Sequence, residues 1–442
     1  MTEQDSVGWR REPTRIVVLG AGFGGIQTVR AMERHFRGRA NVEITLVSRE
    51  NYFVITPLLF EACSGRLELR HCAQPVRPAL RTSRFIEAEV DSVDVDRQVV
   101  GIVTGEKARI ELPYDQLVVA LGATTNLSLI PGAANALTFK SVSDAFVLRN
   151  QLIERFERAD ASHDMEHRQR LLTIVVIGGG LVGVELIGEL TAFADDILRY
   201  YPRIKRDDLH FHLLEATPKI LPEVSRELAD ESALELTSRG VVIHVGTPVK
   251  GIETGSVHLP DETIQADTIV LAAGIVPSPA IACIGVTKDP KGRIAVDATM
   301  RSTSHKNVWA LGDCASIPGP EGRPYPALAQ HAVREAKQLA HNVAAVMDNR
   351  PTEPFDFHSR GTMVALGHSR AVVQAMGTQF SGFFAWWFRR TYYLFQMPLW
   401  DRRLRIVLDW TIELFFRPDI TKVDLVADHQ EQRLRAVAPF GE

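Results

Sequence analysis

Cysteine is scarce in this chain: four residues in 442 (Cys63, Cys72, Cys283 and Cys314), none at a metal-ligand spacing. That excludes a disulphide framework, leaves no metal site to expect, and fits a reducing compartment. Eight residues separate Cys63 from Cys72, and structural, half-buried thiols are expected at both. Net charge is also small, -4, so no nucleic-acid surface is advertised. No apolar run approaches the ~20 residues that a bilayer crossing requires. The opening segment, MTEQDSVGWRREP, is polar throughout, so no secretory leader is expected. At this length two or three domains are expected.

What is present is a glycine turn, twice. TRIVVLGAGFGGIQTVRAM places the apolar strand Ile16 to Leu19 before Gly20, Gly22 and Gly25, and a helical stretch follows. G-x-G-x-x-G suits a dinucleotide. One glycine makes the tight turn, one admits the pyrophosphate, and one lets helix and strand touch, while the helix N-terminus offers free N–H groups. The pattern returns in TIVVIGGGLVGVELIGEL, with Gly178, Gly180 and Gly183 in register. The next strand of the second copy, HFHLLE, ends on Glu215, which can accept from both ribose hydroxyls and would repel a 2'-phosphate, so NADH is expected to be favoured over NADPH. In the first copy VEITLV ends at Ser48, where a carboxylate would usually stand, followed by Arg49. One such turn is a weak signal; two between strand and helix are strong.

NVWALGDCA, 307–315, resembles the second flavin motif of the two-dinucleotide-binding flavoproteins, in which the aspartate, here Asp313, bonds the ribityl chain of FAD. LVVALGATTN (with Gly122) and IVLAAGIVPSP (with Ala273 and Gly274) resemble the paired crossovers of that superfamily, and the backbone near Val90 would meet the adenine. The resemblance implies an α/β fold. Two Rossmann-like dinucleotide-binding domains, glutathione-reductase-like, would carry FAD and NADH, with a C-terminal amphipathic-helix membrane-association module. Expected boundaries are 14–130 and 288–350 for the two FAD segments, 131–287 for the NADH domain and 351–442 for the C-terminal module. FAD would be non-covalent, since no attachment motif is present.

NYFVITPLLFEACSG, GGGLVGVELIGEL and YPALAQHAVREA together are similar to the type II NADH dehydrogenases, single-subunit NADH:quinone oxidoreductases that pump no protons. The likeness spans nearly the whole chain. It implies that Glu185 lies near nicotinamide and flavin, and that the helix starting at Ala329 and Gln330 points at the flavin and lines a quinone site. Hydride would pass from NADH to flavin N5, and two electrons then to a quinone, menaquinone or ubiquinone. Four positions depart from the family pattern. Arg334 and Glu335 stand where two glutamines are usual, Phe53 replaces a histidine, and Ser48 an acidic residue. His331 is expected to be partly exposed. A flavoprotein reductase or redox sensor with a non-quinone acceptor is the alternative. Sulphide:quinone chemistry is disfavoured because no cysteine pair faces the flavin.

The densest aromatic stretch is FFAWWFRRTYYLFQMPLW, nine rings in eighteen positions. Helical periodicity puts Phe380, Phe383, Phe384, Trp387, Phe388, Leu394 and Phe395 on one face with Arg389 opposite. After Pro398 it puts Leu404, Val407, Leu408, Leu414 and Phe415 opposite Arg402, Arg405, Asp409 and Glu413. Two amphipathic helices lying in a membrane surface through residues 380–417 are expected, with arginines meeting anionic headgroups. The protein would be peripheral, at the cytoplasmic face of the inner membrane. A second copy of the chain is the other partner such a face could meet.

Overall fold

The structure is a computed structural model and describes residues 12–422 except Arg360 and Met376. The polar opening segment up to Arg11 and residues 423–442 of the expected C-terminal module lie outside the described residues. Two compact units emerge, each assembled from three stretches of chain. The first takes Met1–Phe53, Gln74–Thr124 and Ile275–His358; the second takes Val54–Ala73, Thr125–Gly274 and Ser359–Glu442.

The first unit is built on a seven-stranded sheet in the order Val308–Ala310, Gln116–Val119, Thr14–Leu19, Val42–Ser48, Arg84–Asp94, Val99–Thr104, Arg109–Pro113. The first five strands pair parallel and the last two antiparallel. Ile16, Val17, Val18 and Leu19 are all buried, as a central strand covered on both faces requires. Helices Phe23–His35 and Ala329–Met347 pack against each other. Gly24 lies at this contact: a Cβ there would stand 3.8 Å from the Ala332 Cβ and 3.1 Å from Leu311 Cδ1.

The second unit carries a five-stranded parallel sheet, Leu137–Thr138, Thr268–Leu271, Thr173–Ile177, His210–Leu214, Val241–His244. A capping box of Ser141 and Asp144 starts its helix Val142–Ala161. A three-stranded antiparallel sheet, Gly251–Glu253 to Thr263–Gln265, contributes Ile252, Val257 and Ile264 to a core shared with Val175, Ile177 and Leu271.

The tail belongs to this same unit. It is an antiparallel sheet (Gly361–Ala365, Ala371–Ala375, Thr378–Ser381) followed by two helices, Phe383–Gln396 and Trp400–Glu413. Ala371 and Val373 pack with Ala385 and Trp386 of the first tail helix. The two expected helices are therefore present, but the paired arginines of the first, Arg389 and Arg390, point inward. Arg389 is 1% exposed and Arg390 is buried with it. The aromatic face is the outer one: Phe384 is 77%, Trp400 75% and Phe415 78% exposed. Arg389 therefore cannot meet lipid headgroups. Acidic partners inside the protein hold it.

Candidate active site

Three turns are the ones that the sequence singles out for dinucleotide binding. In the first, Gly20 has φ +97°, and a Cβ there would stand 2.3 Å from the Ala120 carbonyl oxygen. A Cβ on Gly25 would stand 1.8 Å from the Gly20 oxygen. Both glycines are demanded by the turn itself. Gly22 is different, because nothing lies within 4 Å of where its Cβ would be. It caps helix Phe23–His35, whose first turn has no acidic residue and no side-chain cap. That open, uncapped N-terminus fits a pyrophosphate. Ser48 ends the adjoining strand, and Arg49 points outward beside Glu50 at 3.4 Å. Val90 lies at an irregularity in strand Arg84–Asp94.

The second turn repeats this construction. A Cβ on Gly183 would stand 1.7 Å from the Gly178 oxygen, and one on Gly178 (φ +113°) 2.8 Å from the Ala273 Cβ. Gly180 caps Leu181–Ile197 with no side-chain cap and little around it. Glu215 is fastened by backbone: Gly179 N–H donates to Oε2 at 2.6 Å and Thr217 N–H to Oε1 at 2.7 Å. The structure therefore brings the glycine turn and the strand-end carboxylate together across 36 positions of sequence. Gly274 (φ +68°) accepts from Asn126 N–H at 3.1 Å, and Gly122 (φ +65°) from Ser278 N–H at 3.0 Å.

The third turn, Gly312–Cys314, follows strand Val308–Ala310 and meets the start of helix Ala329–Met347. Leu328 caps that helix without a side-chain bond, and its carbonyl accepts the N–H groups of His331 at 2.9 Å and Ala332 at 3.1 Å. Ala329 is exposed and Gln330 half-buried. His331 is buried instead of partly exposed, packed on Tyr325 and Phe357, and burial lowers its pKa to about 4. Burial pushes the thiols of Cys63, Cys72 and Cys314 up. None is half-buried as expected of the first two, and none offers a thiolate at neutral pH.

Glu185 lies inside the second unit. It accepts from Ala365 N–H at 2.8 Å and pairs with Arg389 Nη2 at 2.9 Å. Burial raises its pKa, and Arg389 and the Ala365 N–H only partly offset that. Around it runs a seam of buried charge that periodicity did not reveal. Glu61 accepts from Arg390 Nε at 3.1 Å and from Trp410 Nε1 at 3.0 Å. Arg390 also reaches Glu413 at 2.7 Å, and Glu413 pairs with Arg66 at 3.0 Å. Arg66 goes on to Glu189 at 3.2 Å and to Asp196. Both tail helices are thus anchored to helix Leu59–Cys63 by charge. The Arg390 guanidinium lies 3.8 Å from the Trp386 ring centroid, a cation–π contact. A signal was available: Glu61 in LLFEAC and Arg389–Arg390 amid rings are lone charges inside apolar runs, which survive burial only when paired.

The chain matches the pyridine nucleotide-disulphide oxidoreductase family over residues 14–336. It is 31% identical to a type II NADH:quinone oxidoreductase of Staphylococcus aureus, covering 83% of this chain and 91% of that protein. It is also 31% identical to a mitochondrial internal alternative NAD(P)H-ubiquinone oxidoreductase of Solanum tuberosum, covering 92% and 88%. Among solved structures, that of NDH2 from Plasmodium falciparum in complex with NADH shares the fold with TM-score 0.85 at 19% identity, covering 93% of this chain and all of that one.

Proposed function

The chain belongs to the type II NADH dehydrogenases of the pyridine nucleotide-disulphide oxidoreductase family, and from that membership we infer an FAD-dependent, non-pumping NADH:quinone oxidoreductase. The observation that carries this reading is the pair of turns, each with one glycine opening onto free space at an uncapped helix N-terminus. The first turn, with Asp313 and the helix start at Ala329, would hold FAD; the second, with Glu215, would hold NADH. FAD supplies the acceptor for the hydride of NADH and the donor for quinone, chemistry that no side chain has. The residues contribute binding and orientation: backbone N–H groups meet the phosphates, Glu215 takes the ribose, and the uncapped dipole end of Ala329–Met347 favours negative charge on a ligand there. Gln330 is proposed to line the quinone side. Glu185, locked to Arg389 and Ala365, is proposed to position the tail against the nicotinamide helix rather than to move protons.

The tail is proposed to lie on a membrane. Among the described residues no helix is long and apolar enough to cross one. Phe383, Phe384, Trp387, Phe395, Trp400, Leu408 and Phe415 all point outward along residues 383–415. Such a face sinks ~5–10 Å into the interface, and a quinone is dissolved there. The cytoplasmic face is proposed because NADH is available on that side. Liposome flotation of the Phe384→Ser/Trp387→Ser/Phe415→Ser protein tests it. Loss of flotation and of long-tailed quinone turnover, with flavin reduction by NADH retained, is expected. Unchanged flotation, or conversion of a dimer to a monomer, would make the face a contact between copies instead.

A further inference from the structure

Glu335 lies nearly two turns into helix Ala329–Met347, 2% exposed, and its Oε2 accepts the Gly312 N–H at 2.7 Å. Gly312 sits in the left-handed region at φ +70°, with the Ala332 Cβ 3.6 Å from where its own would stand. The turn that presents Asp313 is therefore seated on this helix and fastened by one carboxyl. Burial pushes that carboxyl up to about 7; the Gly312 N–H draws it back and Asp313 pushes it further.

The ionisable groups around it are few. The turn offers Asp313 and the Cys314 thiol, which burial holds at about 12. Its own helix offers His331, turned to Tyr325 and Phe357, and Arg334, whose guanidinium lies 4.3 Å from the Phe357 centroid. Helix Phe23–His35 meets this corner with Gly24. Its Glu33 accepts from the N–H groups of residues 81 to 83, and its His35 packs on His341.

We propose that Glu335 is a positioning residue of the flavin turn whose charge links reduction of the bound flavin to uptake of one proton. The proposal rests on the reading that the first unit holds FAD. Negative charge added at the flavin repels a carboxylate buried beneath its turn, and so raises the proton affinity of that carboxylate. One proton comes from water and one O–H bond forms on Glu335, while its other oxygen keeps the Gly312 N–H. Linkage then makes the flavin potential fall more steeply with pH over the range in which Glu335 is ionised before reduction and protonated after it.

The test is the midpoint potential of the FAD-loaded protein against E335Q across neutral pH. Glutamine keeps an acceptor oxygen for Gly312 and is the residue usual in the family pattern. The two potentials should coincide below about pH 6, and above about pH 8 that of E335Q should be higher by about tenfold in equilibrium constant, ~30 mV for a two-electron couple. A gap independent of pH, or none, overturns the proposal. If E335Q does not fold, the wild-type protein decides. Its reduced-minus-oxidised infrared spectrum should gain a protonated-carboxyl band above neutral pH, and no such band overturns the proposal. A purified protein that takes up no FAD fails the underlying reading instead, and the flavin absorption spectrum separates that outcome from the others.

Discussion

The glycine turn at Gly20–Gly25 and the paired helices of the tail both present a face that the rest of their own unit leaves open, and they do so by opposite means. At the turn, side chains are removed so that backbone N–H groups can be approached, and steric contact at 1.8 to 2.3 Å fixes which glycines are structural. At the tail, large rings are added on the outside, while Arg389, Arg390 and Glu413 are drawn inward. The turn depends on local geometry. The tail depends on partners more than 300 residues away in sequence, such as Glu61 with Arg390. An outward apolar face and an inward ionic seam together reverse the usual arrangement of an amphipathic helix.

The contrast can be broken most sharply inside the first turn. Gly22→Val meets no neighbour, so the protein should fold and melt cooperatively yet lose FAD by more than about a hundredfold in affinity, roughly 3 kcal/mol. Gly25→Ala, against the Gly20 oxygen, should instead cost the fold. Flavin absorbance after gel filtration, read beside the melting curve, separates the two, and full flavin retention by Gly22→Val would remove the first turn from the account.

In the tail the same opposition is tested with charge. Arg390→Ala leaves Glu61 and Glu413 buried without their shared partner, so about 3–5 kcal/mol of stability should disappear. Phe384→Ser on the outer face should move stability by less than about 0.5 kcal/mol. Urea denaturation of both proteins compares them directly. Equal losses would mean that the seam does not hold the helices.

Acid should loosen that seam. Burial opposes the charge of Glu413, but His368, Arg390 and Arg66 outweigh it and hold the carboxyl at about 2. A folded pKa below the unfolded one gives stability that is present above the unfolded value and lost as pH falls toward 2. The window therefore runs from about 4.5 down, with at most about 3 kcal/mol at stake. Glu413→Gln should flatten that slope, as followed by tryptophan fluorescence.

The smallest effect concerns the second turn. Glu215→Ala removes a ribose acceptor and a repeller of 2'-phosphate together, so the ratio of kcat/KM for NADH over NADPH should fall by about tenfold. An unchanged ratio would mean that Glu215 does not meet the ribose.

What was legible in the chain follows the same division. The strands at Ile16–Leu19 and Thr173–Ile177, the glycine turns and both tail helices could be read because each is set by neighbours within a few residues. Glu215 could be placed at a strand end, though not its grip on the Gly179 N–H. Periodicity also separated two faces on each tail helix, but it cannot say which face meets protein. That choice was made by Glu61, Glu185 and Glu413, whose partners come from distant stretches of chain. Glu335 was visible only as a departure from a family pattern; its bond to Gly312 needed the fold.

The central step is the passage of electrons from NADH to quinone. Anaerobic stopped-flow measures it most directly: the FAD-loaded protein is mixed first with NADH, then with menaquinone or ubiquinone analogues in separate experiments. Rapid loss of flavin absorbance with NADH, and its rapid return with at least one quinone, is the predicted result. Flavin that NADH reduces but no quinone reoxidises would contradict it.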